Sequence, residues 1–514
     1  MKTKIINAFS GILVLLLTIS CSNQLDLTPV SSISNSTFWK TSNQFDAFVT
    51  GIHSNFRNDN ANFQLLGEMR ADIFGTDPPS LTAFTGEATQ GLERTWLQTL
   101  TLDGAVVGNF GGFYNNIVEL NLLISQLNTT NVVTAANKNY YLGIAYGMRA
   151  FYYFHLLRSW GGVVIQTDPV TSFSGNLAKA ASSVADVTTQ IKSDIDNSVS
   201  SFGTDYTFRQ NKAFWSKAAT LMLKAEVYLW TSYRGGGTAD ATVAQSALTD
   251  IQTNVAGLSL QPNFTSVFST TNRGNSEIIF ASRYMYLEAQ MSFVPSSFTP
   301  QNGLLGNYYD SINNIQFVNE GFAGIWGGLL RAPVKISAFR KFNNLDTRKW
   351  ASVQAAYTKP AGSYVIAGCF SNKYLGENQL SARQYTNDYP IYRYADLLLM
   401  LAETKIILGQ DPSNEMNLVR ARAYGVNYNA GTLGYPNQGI DSNPTAALLQ
   451  ERFCEFVFEG KRWYDLLRTN QVLNYISPSL FVNTDPVGQL LWPIDRASLI
   501  NNRALVQTAG YSSH

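Results

Sequence analysis

Residues 451–468 read Glu451-Arg452-Phe453-Cys454-Glu455-Phe456-Val457-Phe458-Glu459-Gly460-Lys461-Arg462-Trp463-Tyr464-Asp465-Leu466-Leu467-Arg468. The pattern predicts a helix over 446–468, which places Glu451, Glu455 and Glu459 at i, i+4 and i+8 on one face. Such a row resembles the paired carboxylates of a glycosidase, which flank the substrate at roughly 5–5.5 Å or roughly 6.5–9.5 Å. The company of Phe453, Phe456, Val457, Trp463 and Leu466 points instead to a buried segment. Buried carboxylates require cations. Arg452, Lys461, Arg462 and Arg468 are local, and Arg393, Arg420 and Arg422 are candidate partners in space. The expectation is a structural ion network of Arg149, Arg393, Glu403, Arg420, Arg422, Glu451, Arg452, Glu455, Glu459, Arg462 and Asp465, with no catalytic residue.

Helical stripes run outward from this segment. Phe45, Phe48 and Ile52 form one, with Ser36 or Thr37 as cap. Tyr114, Ile117, Leu120 and Ile124 form a second. A third spans about 137–158 and stops at Gly161-Gly162. A fourth covers 212–230 and is halted by Gly235-Gly236-Gly237, and a fifth covers 394–408. Ala218 and Ala225, like Ala395 and Ala402, are small residues two turns apart that suit close helix pairing. The fold class is mostly α. Two stretches, 72–113 and 284–341, are rich in Gly, Pro, Asn and Thr and read as long irregular loops, where function concentrates.

Composition narrows the function. Of 514 residues 14% are charged, and 37 basic residues face 36 acidic ones for a net charge of +1. No basic footprint for nucleic acid is present. Aromatics reach 13%, so the chain suits neutral, hydroxyl-rich or peptide ligands better than phosphates. Cys21, Cys369 and Cys454, with His53, His155 and His514, hold no metal-ligand spacing, and no cofactor or calcium loop is evident. Cys369 and Cys454 could pair in a disulfide outside the cytoplasm, but two cysteines in so long a chain read rather as buried thiols. His155, inside an apolar aromatic run, is read as a core histidine.

Lys2 and Lys4 precede an apolar run from Phe9 to Ile19 that is too short for the ~20 residues of a membrane span. This is a secretory signal, residues 1–20. Leu17-Thr18-Ile19-Ser20-Cys21 is similar to a bacterial lipobox, although Thr18 stands where Leu is usual. Cys21 is then the lipidated first residue. Ordinary cleavage would leave it a free, reactive thiol.

Six segments in order resemble one family. They are Leu25-Asp26-Leu27-Thr28-Pro29; Tyr114-Asn115-Asn116-Ile117 with Asn121; Gly147 to Phe154 with Trp160-Gly161-Gly162; Tyr389 to Leu397 with Ala402-Glu403; Asn417 to Ala423; and Glu451 to Arg468. Together they identify the chain as similar to the SusD/RagB family of outer-membrane nutrient-binding lipoproteins. The segment 501–511 departs from the family in lacking a proline after an Asn. The resemblance implies a helical fold of tetratricopeptide-type pairs with a loop-rich binding half. It also implies a lipid-anchored protein at the cell surface, without covalent chemistry, seated on a SusC-like TonB-dependent transporter. One folded unit is expected, with halves 21–265 and 266–514.

Ligand recognition by a glycan binder needs aromatic faces for C–H surfaces and planar polar groups for hydroxyls. The candidates are Trp96 with Arg70 and Asp72 upstream and Gln98 and Asn109 nearby. A second group is Tyr284, Tyr286, Tyr308, Tyr309 and Trp326, with Asn307, Asp310, Asn313 and Asn314. An oligopeptide ligand is the alternative and would favour backbone hydrogen bonds. A lipid-anchored hydrolase would need a nucleophile motif, a metal cluster or an acid–base pair, and none is present.

Overall fold

The computed structural model describes residues 38–77, 84–107, 110–170, 178–320, 326–379, 382–437, 439, 441, 443–481 and 486–512. The signal segment, Cys21, the caps Ser36 and Thr37, and Asn109 lie outside the described residues. Residues 1–47 and 48–514 form two units. In the described part of the first, Trp39 lies 4.9 Å from both Phe38 and Phe45, ring centre to ring centre.

Helices dominate the described chain. They include α1 (Ser42–Asn58), α2 (Asn60–Glu68), α3 (Phe110–Thr129), α4 (Ala135–Trp160), α5 (Val184–Phe202), α6 (Lys217–Thr231) and α7 (Gly237–Asn254). Later come α8 (Tyr394–Ile407), α9 (Ser413–Tyr424), α10 (Pro444–Phe456) and α11 (Arg462–Arg468). Their ends follow local chemistry. The side chains of Thr134, Ser183, Ser216 and Asn443 each accept a first-turn N–H of the helix they open. At the end of α4, Gly161 has φ +82 and its N–H returns to Leu157 O.

Successive helices pack on one another. α3 lies on α4, α4 on α5, α5 on α6, α6 on α7, α7 on α8, and α8 on both α9 and α10. Ala218, Ala225, Ala395 and Ala402 are all fully buried. A methyl group at Gly147 of α4 would come within 2.2 Å of Trp215 Nε1, so this crossing admits no side chain.

The structure departs from the stripes in three places. α5 was not marked by them, although Val187, Ile191, Ile195 and Phe202 form its buried face. The Gly235–Gly237 run turns the chain without ending its helical course, and α7 begins at Gly237 on a face of small alanines. The helix expected over 446–468 is two helices, broken at 457–461. Phe458 and Gly460 there take φ +68 and +70.

That break has a physical cause in α2. Glu68 Oε1 accepts the Phe458 N–H at 2.7 Å, and Oε2 accepts that of Gly460 at 3.2 Å. A carboxylate thus takes up N–H groups that a continuous helix would have satisfied itself.

Strands were not expected. β1 (Ile278–Ser282) pairs antiparallel with β8 (Tyr389–Arg393), and both are buried along their length. A four-stranded sheet runs β3-β2-β4-β5, from β2 (Tyr309–Asp310), β3 (Ile315–Gln316), β4 (Val353–Thr358) and β5 (Val365–Ser371). β6 (Glu377–Gln379) and β7 (Ala382–Gln384) form a separate hairpin. The four-stranded sheet carries a small core of Leu305, Phe317, Trp326, Leu330, Ala356 and Phe370.

A methyl at Gly67 would sit 1.7 Å from Gly460 O. Gly67→Ala is expected to push α2 off the 457–461 turn and cost about 2–3 kcal/mol. Urea unfolding should show a lower midpoint at an unchanged slope.

Candidate functional site

The deciding segment builds a buried web of charge. β8 ends at Arg393, whose register partner is Ile278, so strand pairing sets Arg393 beside Glu277. Arg393 Nη1 reaches Glu277 Oε1 at 2.7 Å and also bonds Glu455. Its Nε reaches Glu459 Oε2 at 2.8 Å. Arg422 of α9 pairs with Glu277 and Glu455. Arg348 pairs with Asp346, Glu451 and Glu455 at 2.7, 2.7 and 2.9 Å. Arg420 holds Glu451 and Asp441, and Lys373 holds Glu459.

A second web joins α8, α10 and α11. Asp396 takes Arg452 at 2.9 Å and Lys461 at 2.8 Å; Asp465 takes Arg452 and Arg468; Glu403 takes Arg468. Arg149 stands apart, bonded to Asp194 and Asn121. Arg462 also leaves the web and binds Asp72. Sequence spacing missed Glu277, Asp346, Arg348, Lys373 and Asp441, which come from loops, a strand end and the head of a five-residue helix too short for a helical period to mark them.

Neither Glu455 nor Glu459 is poised as a general acid. Burial pushes Glu455 upward, but Arg422, Arg393 and Arg348 outweigh it and hold the group well below the usual carboxylate range. Glu459 is likewise lowered, by Arg393 and Lys373 against burial. A general acid needs a raised value near the working pH. Glu459 also lies in the 457–461 turn rather than on the helical face of Glu451 and Glu455. Glu68 is the contrasting carboxyl, raised by burial to about 7.

The expected ligand residues divide. Five lie inside. Arg70 is fully buried, donates to Gln98 Oε1 at 2.9 Å and to the carbonyls of 489–491, and stacks on Trp463 at 4.5 Å. Asp72 is clamped by Arg462 and Lys341, which overcome burial and hold it well below its ordinary value. Trp96 is 7% exposed and packs over Gly75. Trp326 is 4% exposed, with Phe370 at 5.1 Å and the Arg383 guanidinium at 4.9 Å from its ring. Tyr284 accepts from Asn60 at 3.0 Å and donates to Arg57 O. A stacking platform needs an open face, and in these residues packing occupies it. Tyr286 is half-buried, at the opposite end of the 284–341 stretch from Trp326.

Tyr308 and Tyr309 are half-buried, Tyr308 against the core of the sheet, and the sheet adds others to Tyr309. Tyr308 meets Phe84 edge-on at 5.2 Å. Tyr309 of β2 lies 6.1 Å from Tyr364, which lies 5.9 Å from Tyr357 of β4. Tyr309 and Tyr357 are register partners in the sheet. Lys359 Nζ stands 4.8 Å from the Tyr364 ring centre and donates to Asn314 Oδ1 at 2.9 Å. The Tyr364 hydroxyl donates to the same oxygen. Tyr309, Tyr357, Tyr364 and Lys359 are half-buried and Asn314 is exposed, so part of the ring surface, an ammonium and an amide face solvent together. The missed members flank a Pro360–Gly362 turn, and two tyrosines bracketing such a turn are a legible hairpin signal.

His53 and His155 are structural. His53 donates to Val49 O, accepts the Trp215 N–H at 2.9 Å, and is pushed down to about 4 by burial. His155 Nε2 lies 2.7 Å from Arg158 Nη2. Cys369 and Cys454 are free, buried thiols. Among the described residues no cluster of His, Cys, Asp and Glu is arranged to hold a metal.

Residues 337–511 match the SusD family, and residues 25–229 match a family described as starch-binding associating with outer membrane. NanU of B. fragilis is 44% identical, covering 94% of this chain and 100% of that one at a TM-score of 0.86. A SusD superfamily protein from Bacteroides vulgatus is 39% identical over 92% and 100%, at 0.85. Surface glycan-binding protein A from Bacteroides thetaiotaomicron, solved in complex with laminarihexaose, is 20% identical over 92% and 100%, at 0.70, a likeness of fold.

Two outcomes follow from the charge webs. Glu455→Gln should cost about 3–5 kcal/mol of unfolding free energy, because it strands buried guanidinium groups. Asp396 is lowered from 3.8 to about 2, its cations outweighing burial. A depressed carboxyl contributes stability above its unfolded value and loses it as pH falls through the folded one. Between pH 4 and 2 the unaltered protein should therefore lose about 2 kcal/mol that Asp396→Asn does not lose, read as the difference of the two stability–pH curves.

Proposed function

The chain belongs to the SusD family, and from that premise we propose that it is a cell-surface lipoprotein that captures oligosaccharides and delivers them to a SusC-like TonB-dependent outer-membrane transporter. The observation that carries the ligand class is the cluster of Tyr309, Tyr357 and Tyr364 around the Lys359–Asn314 pair. Tyrosine rings offer flat apolar faces to sugar C–H groups at little entropic cost, and their hydroxyls, with an amide and an ammonium, meet the hydroxyl rim. Little of this surface would recognise a phosphate. The family description of starch binding at the outer membrane points the same way.

Attachment is assigned to a lipid on Cys21. No helix among the described residues is long and apolar enough to cross a membrane. Glu455 and Glu459 carry no chemistry in this reading, since their cation partners hold their carboxyls low; the ion pairs keep the scaffold in register. A peptide ligand would instead hydrogen-bond along its backbone and depend weakly on the tyrosine rings.

Calorimetry of the chain lacking residues 1–21, against neutral oligosaccharides and short peptides, tests the reading. Tyr309→Ala with Tyr364→Ala should weaken oligosaccharide binding about tenfold or more, equivalent to about 1.4 kcal/mol, with the melting temperature retained. Peptide binding insensitive to that pair, without any oligosaccharide binding, would replace the glycan reading with the peptide one.

A further inference from the structure

A cavity of about 470 Å³ opens between the segment 340–348, α9, α10 and Tyr475. Its size falls within the roughly 300–1,000 Å³ of ligand pockets. None of Tyr309, Tyr357 and Tyr364 lines it.

The floor is the outer end of the charge web. Arg348 and Glu451 are buried there at 2.7 Å from one another, and Arg420 is held by Asp441 at 2.7 Å. Each of these charges already has an opposite partner, so a charged guest would have to break an ion pair to be held. A neutral hydroxyl has no such cost. It donates to a spare lone pair of a carboxylate and accepts from a guanidinium N–H, leaving the pairs intact. The walls are the rings of Phe342, Tyr424 and Tyr475. Arg340 stands exposed at the mouth, where water and salt screen it.

We propose that this cavity is a second saccharide site, taking one or two neutral pyranose rings, distinct from the tyrosine patch. Aromatic walls over a floor of fixed, mutually neutralised donors and acceptors match a polyol with apolar faces. They match neither an aliphatic guest, which would desolvate the floor without replacing its hydrogen bonds, nor an anion.

Ligand-observed NMR with D-glucose, D-galactose, D-mannose, their β-linked disaccharides and D-glucuronate tests this on the chain lacking residues 1–21. In the Tyr309→Ala/Tyr364→Ala background, which removes the patch and in which the cavity variants are also made, at least one neutral probe should still bind. It should bind at least tenfold more weakly to Ala446→Trp, which fills the cavity from its rim, and to Tyr475→Ala, which removes a half-exposed wall; the second decides if the first does not fold. Absence of neutral binding, binding that survives Tyr475→Ala, loss already complete in the patch variant, or preference for glucuronate would each overturn the proposal. Because the patch variant is measured alongside, failure of the patch as the glycan site leaves this result independent.

Discussion

Arg393 sits at zero exposure with Glu277, Glu455 and Glu459 around it. A guanidinium taken out of water costs several kcal/mol unless its hydrogen bonds are replaced. Its donors meet carboxylates of the β1 approach, α10 and the 457–461 turn, and Nη2 also reaches the Glu455 carbonyl. Three separate parts of the chain must therefore arrive together. A pair of charges on a surface would tolerate slippage, whereas here any displacement leaves an ion unpaired in the interior.

The same constraint explains the broken helix. Were α10 to continue, Glu459 would follow Glu455 along one face. Instead the chain turns, and Glu459 faces Arg393 Nε and Lys373. The N–H groups freed by the turn are taken by Glu68 at the end of α2, against which only a glycine at position 67 fits. Residues nearly 400 positions apart are thus joined by backbone geometry as well as by charge. Arg348, anchored through Asp346, extends the web toward α9 and shapes the floor of the cavity beside it.

The helical frame was legible because stripes, caps and glycine stops are local. Thr134 to Gly161 shows it well: cap, buried face and stop all lie within the segment they define. α7 was not legible, since Ala241, Ala244 and Ala247 make a buried face with little hydropathy contrast. The sheet was hidden for another reason. β2 and β3 are two residues each, too short for an alternation to register. Glu451, Glu455, Glu459 and Asp465 could be named from residues 451–468, but Glu277, Asp346 and the cations Arg348 and Lys373 lie far away in sequence, and only the fold brings them close. The ligand residues were hardest. Ring content marks where aromatics lie, but not which face is covered, and Trp96 and Trp326 proved to be packing residues while Tyr357 and Tyr364 reached the surface.

That division of aromatics has a physical logic. A tyrosine leaves its hydroxyl wet while its ring lies against a neighbour, and edge-on pairs such as Tyr309–Tyr364 hold rings in place without enclosing them. Their orientation depends on a two-residue strand, β2, backed by β4, whose own position rests on the helix 348–352 immediately before it. Arg348 at the head of that helix belongs to the buried web. The half-buried tyrosines are consequently held in place by a largely buried ion network, which would lower the ordering cost of the oligosaccharide binding proposed for them.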